Sequence, residues 1–360
     1  MQAGTTKIIA IVVAIVIVVA GVAVFFTMRN NGEDTTLYEI EDAAGNRIKL
    51  DTVPERIVSL DARTTEILCE LGLTSNLVGV TSDAGVHDVT DFIYGFDFDI
   101  GYPTELLNQI ASGKTKLVGP VMSWTTDNVL NSNPDLVVFQ DSANNMTKMK
   151  MLQEMNITCL VLSGTYDSVE VIYENMELAG KALGKSDRAE LFNNTMKDIV
   201  DYIYKTCNGF KQKDVIMISA PGAALYAYAS SNLKHVVLRD LGCTTKMAGQ
   251  VTGIVTVENV LNFQPDVIIL DPMGMTMDMS NLKKQFEADP LWADTVAMKN
   301  NNIYYLEYAS YQATGYTTHH FVHGIALMAT IVFDELGVDV PQLVEGDKHL
   351  SYITWLDKKD

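Results

Sequence analysis

The chain has 360 residues, 48% of them hydrophobic, and a formal net charge of −19. That is enough apolar material for two domains with cores of their own, and the acidic balance excludes nucleic acid as a partner. Cys69, Cys159, Cys207 and Cys243 have neither CxxC nor metal-ligand spacing; the first two fall in apolar patterns that bury free thiols, and a Cys207–Cys243 bridge stays open for a chain outside the cytoplasm.

Residues 8–26 read IIAIVVAIVIVVAGVAVFF, without a charge or a proline. About 20 such residues cross a bilayer core. No small-residue cleavage site or cysteine follows, so the segment is predicted to be an uncleaved signal-anchor. Lys7 and the amino terminus before it, with Arg29 followed by Glu33 and Asp34 beyond it, mildly favour an inside N-terminus and a globular part facing away from the cytoplasm. Asn145-Met146-Thr147, Asn156-Ile157-Thr158 and Asn193-Asn194-Thr195 are glycosylation acceptor triplets in that setting.

After a polar linker ending at residue 36, residues 38–50 alternate apolar and polar around Ala44-Gly45-Asn46 and predict a β-hairpin. A strand at 56–60, a helix at 64–71 stopped by Gly72, and a strand at 77–80 follow. Such alternation predicts α/β architecture with parallel sheets. An internal repeat sharpens the expectation. Residues 127–139 read DNVLNSNPDLVVF and residues 258–270 read ENVLNFQPDVIIL. Each copy predicts a short helix that begins with an acid and passes through Pro-Asp into a buried strand, so the lobe is duplicated. Between the copies, Val169, Ile172, Tyr173, Met176, Ala179 and Leu183 recur at helical spacing, with Asp167 and Glu170 as an expected capping pair and Gly184 as the stop. A second helix is expected over 186–207. The expected organisation is an anchor and linker (1–36), a first α/β lobe (37–165), a connecting helix (166–185) and a second α/β lobe (186–360). The two Rossmann-like lobes are joined by a long helix, which resists bending and implies modest closure.

Residues 179–186, AGKALGKS, approximate a phosphate-binding loop. They sit on the last turn of a periodic helix rather than between a strand and a helix start, so no nucleotide site is expected. His319 and His323 have i, i+4 spacing but no acid between them, and the expectation is helix-surface or cleft-lining histidines rather than a metal centre. Loops at the C-terminal ends of strands bind ligands in open α/β sheets. The candidates there are Met273 and Met275, with Met277 and Met279 behind them, as an adaptable apolar wall. Trp124, Tyr226, Tyr228, Tyr308, Tyr311 and Tyr316 offer rings that stack on planar or macrocyclic ligands. Arg63, at the first strand-to-helix turn, is the candidate contact for an anionic ligand group.

Residues 42–81, DAAGNRIKLDTVPERIVSLDARTTEILCELGLTSNLVGVT, and residues 288–307, ADPLWADTVAMKNNNIYYLE, resemble substrate-binding proteins of iron-siderophore, haem and cobalamin ABC importers. The resemblance runs from about residue 38 to the final helix and implies two α/β lobes on a helical backbone. It implies capture of a metal chelate without catalysis or resident cofactor, and delivery to a permease dimer driven by a separate ATPase. It also implies that an acid on each lobe docks on permease arginines; those positions fall on Asp127 and Glu258, where the family more often has Glu in both. Residues 84–115, including FIYGFDFDIGYP, form a longer excursion than the family shows. Two other readings fit a two-lobed chain: a tetrapyrrole metal chelatase using His319 or His320, and a tethered ligand sensor without a transporter.

Overall fold

The computed structural model describes residues 38–50, 52–82, 89–94, 96–219, 224–229, 232–246, 253–273, 277–315 and 320–333. The predicted anchor at 8–26, together with Met275, Tyr316 and His319, lies outside them. Among the described residues no helix is long and apolar enough to cross a membrane.

The chain opens with the antiparallel hairpin of β1 (Tyr38–Glu41) and β2 (Arg47–Leu50). The first lobe follows as β3 (Ile57–Ser59), α1 (Ala62–Glu70), β4 (Leu77–Val80), the hairpin β5 (Val89–Ile93) and β6 (Phe96–Ile100), α2 (Thr104–Ala111), β7 (Lys116–Leu117), α3 (Thr126–Leu130), β8 (Leu136–Gln140), α4 (Ala143–Glu154) and β9 (Thr158–Leu162). Its parallel sheet has the order β7-β4-β3-β8-β9. Two helices, α5 (Glu170–Ala182) and α6 (Ser186–Cys207), lead to the second lobe. That lobe comprises β10 (Asp214–Ile218), β11 (Leu225–Ala227), α7 (Leu233–Asp240), β12 (Thr244–Lys246), β13 (Gly253–Val255), α8 (Val257–Phe263), β14 (Val267–Leu270), α9 (Met279–Ala288), α10 (Val296–Lys299), β15 (Ile303–Tyr305), α11 (Tyr308–Ala313) and α12 (Phe321–Val332). Its parallel sheet, β12-β10-β14-β15, matches β4-β3-β8-β9 of the first lobe strand for strand.

The repeat holds at the level of hydrogen bonds. Thr125 caps α3 by accepting the Asn128 amide at 3.3 Å, and Thr256 caps α8 by accepting the Asn259 amide at 3.1 Å. Asn133 and Gln264, each immediately before the proline, take the left-handed conformation with φ of 50° and 49°. Asp135 then accepts the amides of Glu55 and Arg56 at 2.9 and 3.0 Å, fixing the start of β3. Asp266 accepts the Asp214 amide at 2.9 Å, fixing the start of β10. The Pro-Asp element is therefore a strand clamp, and both copies perform it.

Alternating residues of the central strands serve different layers, as the pleat requires. Val137 and Phe139 of β8 join Val129 of α3 and Trp124 in an outer core, and Ile268 and Leu270 of β14 join Val260 of α8 in its counterpart. Leu136 and Val138, with Val267 and Ile269, face inward to one large core that also takes in α5, α6 and α12. That core is continuous from one lobe to the other.

Gly180 permits the tight contact between α5 and α6: a Cβ there would sit 2.6 Å from the Cβ of Ala189. Gly184, with φ of 65°, ends α5. The phosphate-loop look-alike at 179–186 is thus a packing glycine followed by a helix stop. The expected Asp167–Glu170 capping pair does not form: α5 starts after Val169, and no side chain caps it. All four cysteines are free, and burial pushes Cys207 up to about 11 and Cys243 up to about 12. Asn145 and Asn193 are buried, and their amides donate to Gln140 and Tyr173 carbonyls at 3.0 and 2.9 Å. Of the three acceptor triplets, that at Asn156 has an exposed asparagine.

Candidate ligand cleft and its rim

In each lobe the loops after the parallel strands carry the polar side chains, the arrangement expected of an open α/β sheet. At the end of β3, Asp61 caps α1 by accepting the Arg63 amide at 2.9 Å. The same carboxylate takes two further bonds from the Arg63 guanidinium, Nε to Oδ1 and Nη2 to Oδ2, both 3.1 Å. The guanidinium lies over the Tyr166 ring, 5.1 Å from its centroid, and the Tyr166 hydroxyl accepts from Gln140 Nε2 at 2.6 Å. Burial pushes the Tyr166 phenol up to about 12, with Arg63 opposing the shift. Arg63 stays 25% exposed at its side chain, so an anionic ligand group would meet a paired guanidinium rather than a bare cation.

The second lobe is organised around Asp271, directly after β14. Its Oδ2 pairs with Lys234 Nζ at 2.8 Å, and both side chains are 0% exposed. Its Oδ1 accepts from the Tyr228 hydroxyl at 2.8 Å and from the Met273 amide at 2.7 Å. Lys234 Nζ lies 3.5 Å from the centroid of Tyr311, and a Cβ on Gly315 would stand 2.8 Å from Lys234 Cε. Burial pulls the Lys234 ammonium down to about 8 against the Asp271 charge, which holds it up. The Asp271 carboxylate therefore ties β14 to α7, to Tyr228 and to the loop at Met273, and Lys234 carries the contact on to α11.

These contacts sort the sequence candidates. Tyr226 and Tyr308 are half-buried, and Tyr308 leans on Tyr311 at 6.1 Å. Met273 is half-buried with φ of 48°. Tyr228 and Tyr311, expected to stack on ligand, are buried and hold the Lys234–Asp271 pair instead. Trp124 requires a correction: at 1% exposure it is a core residue, its indole donating to Asn145 Oδ1 at 3.2 Å, with Lys148 over its ring. Met279 is buried and Met277 packs on the outer core, so the expected methionine wall does not extend to them. His320 and His323, expected on a helix surface or lining the cleft, are buried. Among the described residues no cluster of three or more His, Cys, Asp or Glu could hold a metal. Sequence reasoning missed Asp271 and Lys234, although an acid directly after VIIL is a visible signal.

The rim is where the repeat surfaces. Asp127 and Glu258 are exposed, each the second residue of its short helix, each two positions after the capping threonine. The 84–115 excursion contains the β5–β6 hairpin, which reaches the other lobe. The Tyr94 hydroxyl accepts the Tyr305 amide at 3.0 Å, and its ring meets Tyr304 and Tyr305 edge-on at 5.4 and 6.0 Å. Burial raises the Tyr94 phenol well above its ordinary range.

A family model described as "Periplasmic binding protein" matches residues 57–309. The chain is 26% identical over 272 residues to the uncharacterized ABC transporter substrate-binding lipoprotein YvrC of Bacillus subtilis, covering 74% of this chain and 76% of YvrC. It is 25% identical over 154 residues to the high-affinity heme uptake system protein IsdE of Staphylococcus aureus, covering 39% of this chain and 50% of IsdE. The fold is shared with a periplasmic binding protein from Veillonella parvula, at a TM-score of 0.64 and 16% identity over 85% of this chain and 94% of that one.

Proposed function

The chain belongs to the periplasmic binding protein family, and on that premise we propose that it is an extracytoplasmic solute-binding protein that feeds an ABC importer. It captures a metal chelate (a ferric siderophore, haem or a corrinoid) between its lobes and performs no chemistry on it. The observation that carries this reading is the pair of lobes with matching sheets, each presenting one exposed acid, Asp127 or Glu258, at the start of its repeated short helix. Two carboxylates in equivalent positions suit the two halves of a permease dimer, and a separate ATPase drives transfer. The 8–26 segment holds the molecule at the outer face of the membrane.

Within the cleft, Arg63 over Tyr166 and the half-buried Tyr226, Met273 and Tyr308 are the ligand contacts of this reading, with Met275 beside them in sequence. The chelatase alternative is disfavoured because His320 is buried in the second lobe.

Protein purified from its native host is expected to show a Soret, corrinoid or ferric charge-transfer band in its visible spectrum. A colourless protein that binds neither hemin, cobalamin nor ferric chelates in titration would overturn the metal-chelate reading.

A further inference from the structure

The two most exposed large apolar side chains among the described residues are Met122, at 78%, and Ile254, at 66%. Open water around a methionine or isoleucine is unfavourable, and single instances need no explanation. These two are not independent. Met122 lies in a turn closed by the Ser123 amide on the Pro120 carbonyl at 2.9 Å, three residues before the cap Thr125 and five before Asp127. Ile254 lies on β13, two residues before the cap Thr256 and four before Glu258. Each lobe therefore carries an exposed apolar side chain just ahead of its exposed acid, on the segment that enters the repeated helix.

Both segments sit at the cleft end of their lobes. The α3 and α8 helices run from the rim toward the starts of β8 and β14, so their first residues lie at the end where the strands finish. Asn128 Nδ2 donates to the Val118 carbonyl just after β7, holding the start of α3 there. In the second lobe, β13 pairs with β11, and β11 is bonded to Ser219 at the end of β10 through amide–carbonyl bonds of 2.9 and 2.8 Å.

We infer that Met122 and Ile254 are the apolar anchors of a two-point docking surface that straddles the cleft. Its occupant is a two-fold membrane partner whose halves each offer a basic group beside an apolar socket. The acids supply charge complementarity and register; the apolar anchors supply the residence time. The inference deepens the reading of this chain as an importer's binding protein and rests on it.

The test uses the full chain and the permease–ATPase complex of the same organism in nanodiscs, with affinity measured by a surface-binding assay. Met122→Ser and Ile254→Ser are each expected to weaken docking about tenfold, and the double variant about a hundredfold, which is the scale of one buried aliphatic side chain per site. Leu191→Ser, the same kind of change at a less exposed apolar side chain on α6, is expected to leave affinity unchanged. Thermal melts of each variant confirm that the fold is retained. Docking that stays within about twofold of the parent in the double variant overturns the inference. If Asp127→Ala and Glu258→Ala abolish docking while the apolar variants do not, the anchors fail and the importer reading stands. If the parent does not dock at all, both fail. Parent dimers in sedimentation that the double variant disperses would assign the face to self-association and also overturn the inference.

Discussion

His235 is wholly enclosed in the second lobe, and neither ring nitrogen has a hydrogen-bond partner among the described residues. Burial holds its imidazole down to about 4, with Arg239 and Lys234 pushing the same way and Asp271 opposing. The folded protein thus keeps this histidine neutral where an unfolded chain would protonate it, below about pH 6.5. A group with a depressed folded pKa of this kind contributes its full stability above that pH and loses it as pH falls toward 4, at up to about 1.4 kcal/mol per pH unit. His235→Leu is expected to flatten the acid limb of the stability profile, read as urea midpoints at pH 7 and pH 4.5, and to leave the pH 7 midpoint unchanged or raised. An acid limb as steep as the parent's would show that other groups govern it. Asp271 follows VIIL visibly, but neither His235 nor Lys234 as its buried partner could be recognised from sequence. Lys234 sits in a helix between a polar cap and an apolar run, where a lysine ordinarily reaches solvent; only the tertiary arrangement of Tyr228, Tyr311 and Gly315 encloses it.

At the scale of elements, the short helices α3 and α8 were legible because everything that defines them is local. The capping threonine, the acid, the apolar Val129 or Val260 and the Pro-Asp clamp all fall within 11 residues in each copy, Thr125 to Asp135 and Thr256 to Asp266. The cap of α5 was misread because Asp167 and Glu170 satisfy the sequence pattern while the backbone enters the helix two residues later. The α5–α6 contact offers a sharper measurement. Gly180→Ala places a methyl against Ala189, and two helices held by a shared core have little room to separate. Overpacking of this kind costs about 1–3 kcal/mol, and adding Ala189→Gly is expected to restore part of it. Equal denaturation midpoints for Gly180→Ala and the parent would mean that the helices part without strain.

For the whole molecule, the doubled α/β plan was legible from the repeat, whereas the link across the cleft was not. The residues FIYGFDFDIGYP announce an excursion, but its destination depends on how the lobes face each other, which no local pattern encodes. Tyr94 makes that link, its hydroxyl accepting the Tyr305 amide on the edge strand of the second sheet. Tyr94→Phe removes the acceptor and keeps the ring. Hydrogen exchange at the Tyr305 amide is expected to quicken by about tenfold, while amides of β14 keep their protection. Unchanged exchange at Tyr305 would show that the hairpin does not hold the second lobe.

The core beneath both sheets has a further consequence. Because Val138 and Ile269 belong to one apolar body, neither lobe can loosen without disturbing the other. Cargo that steadies the cleft therefore steadies the entire chain, by an amount that grows with the logarithm of occupancy. Proteases cut what opens, so the laden molecule outlives the empty one. Limited digestion of the full chain with and without bound chelate is expected to show the longer half-life for the laden form.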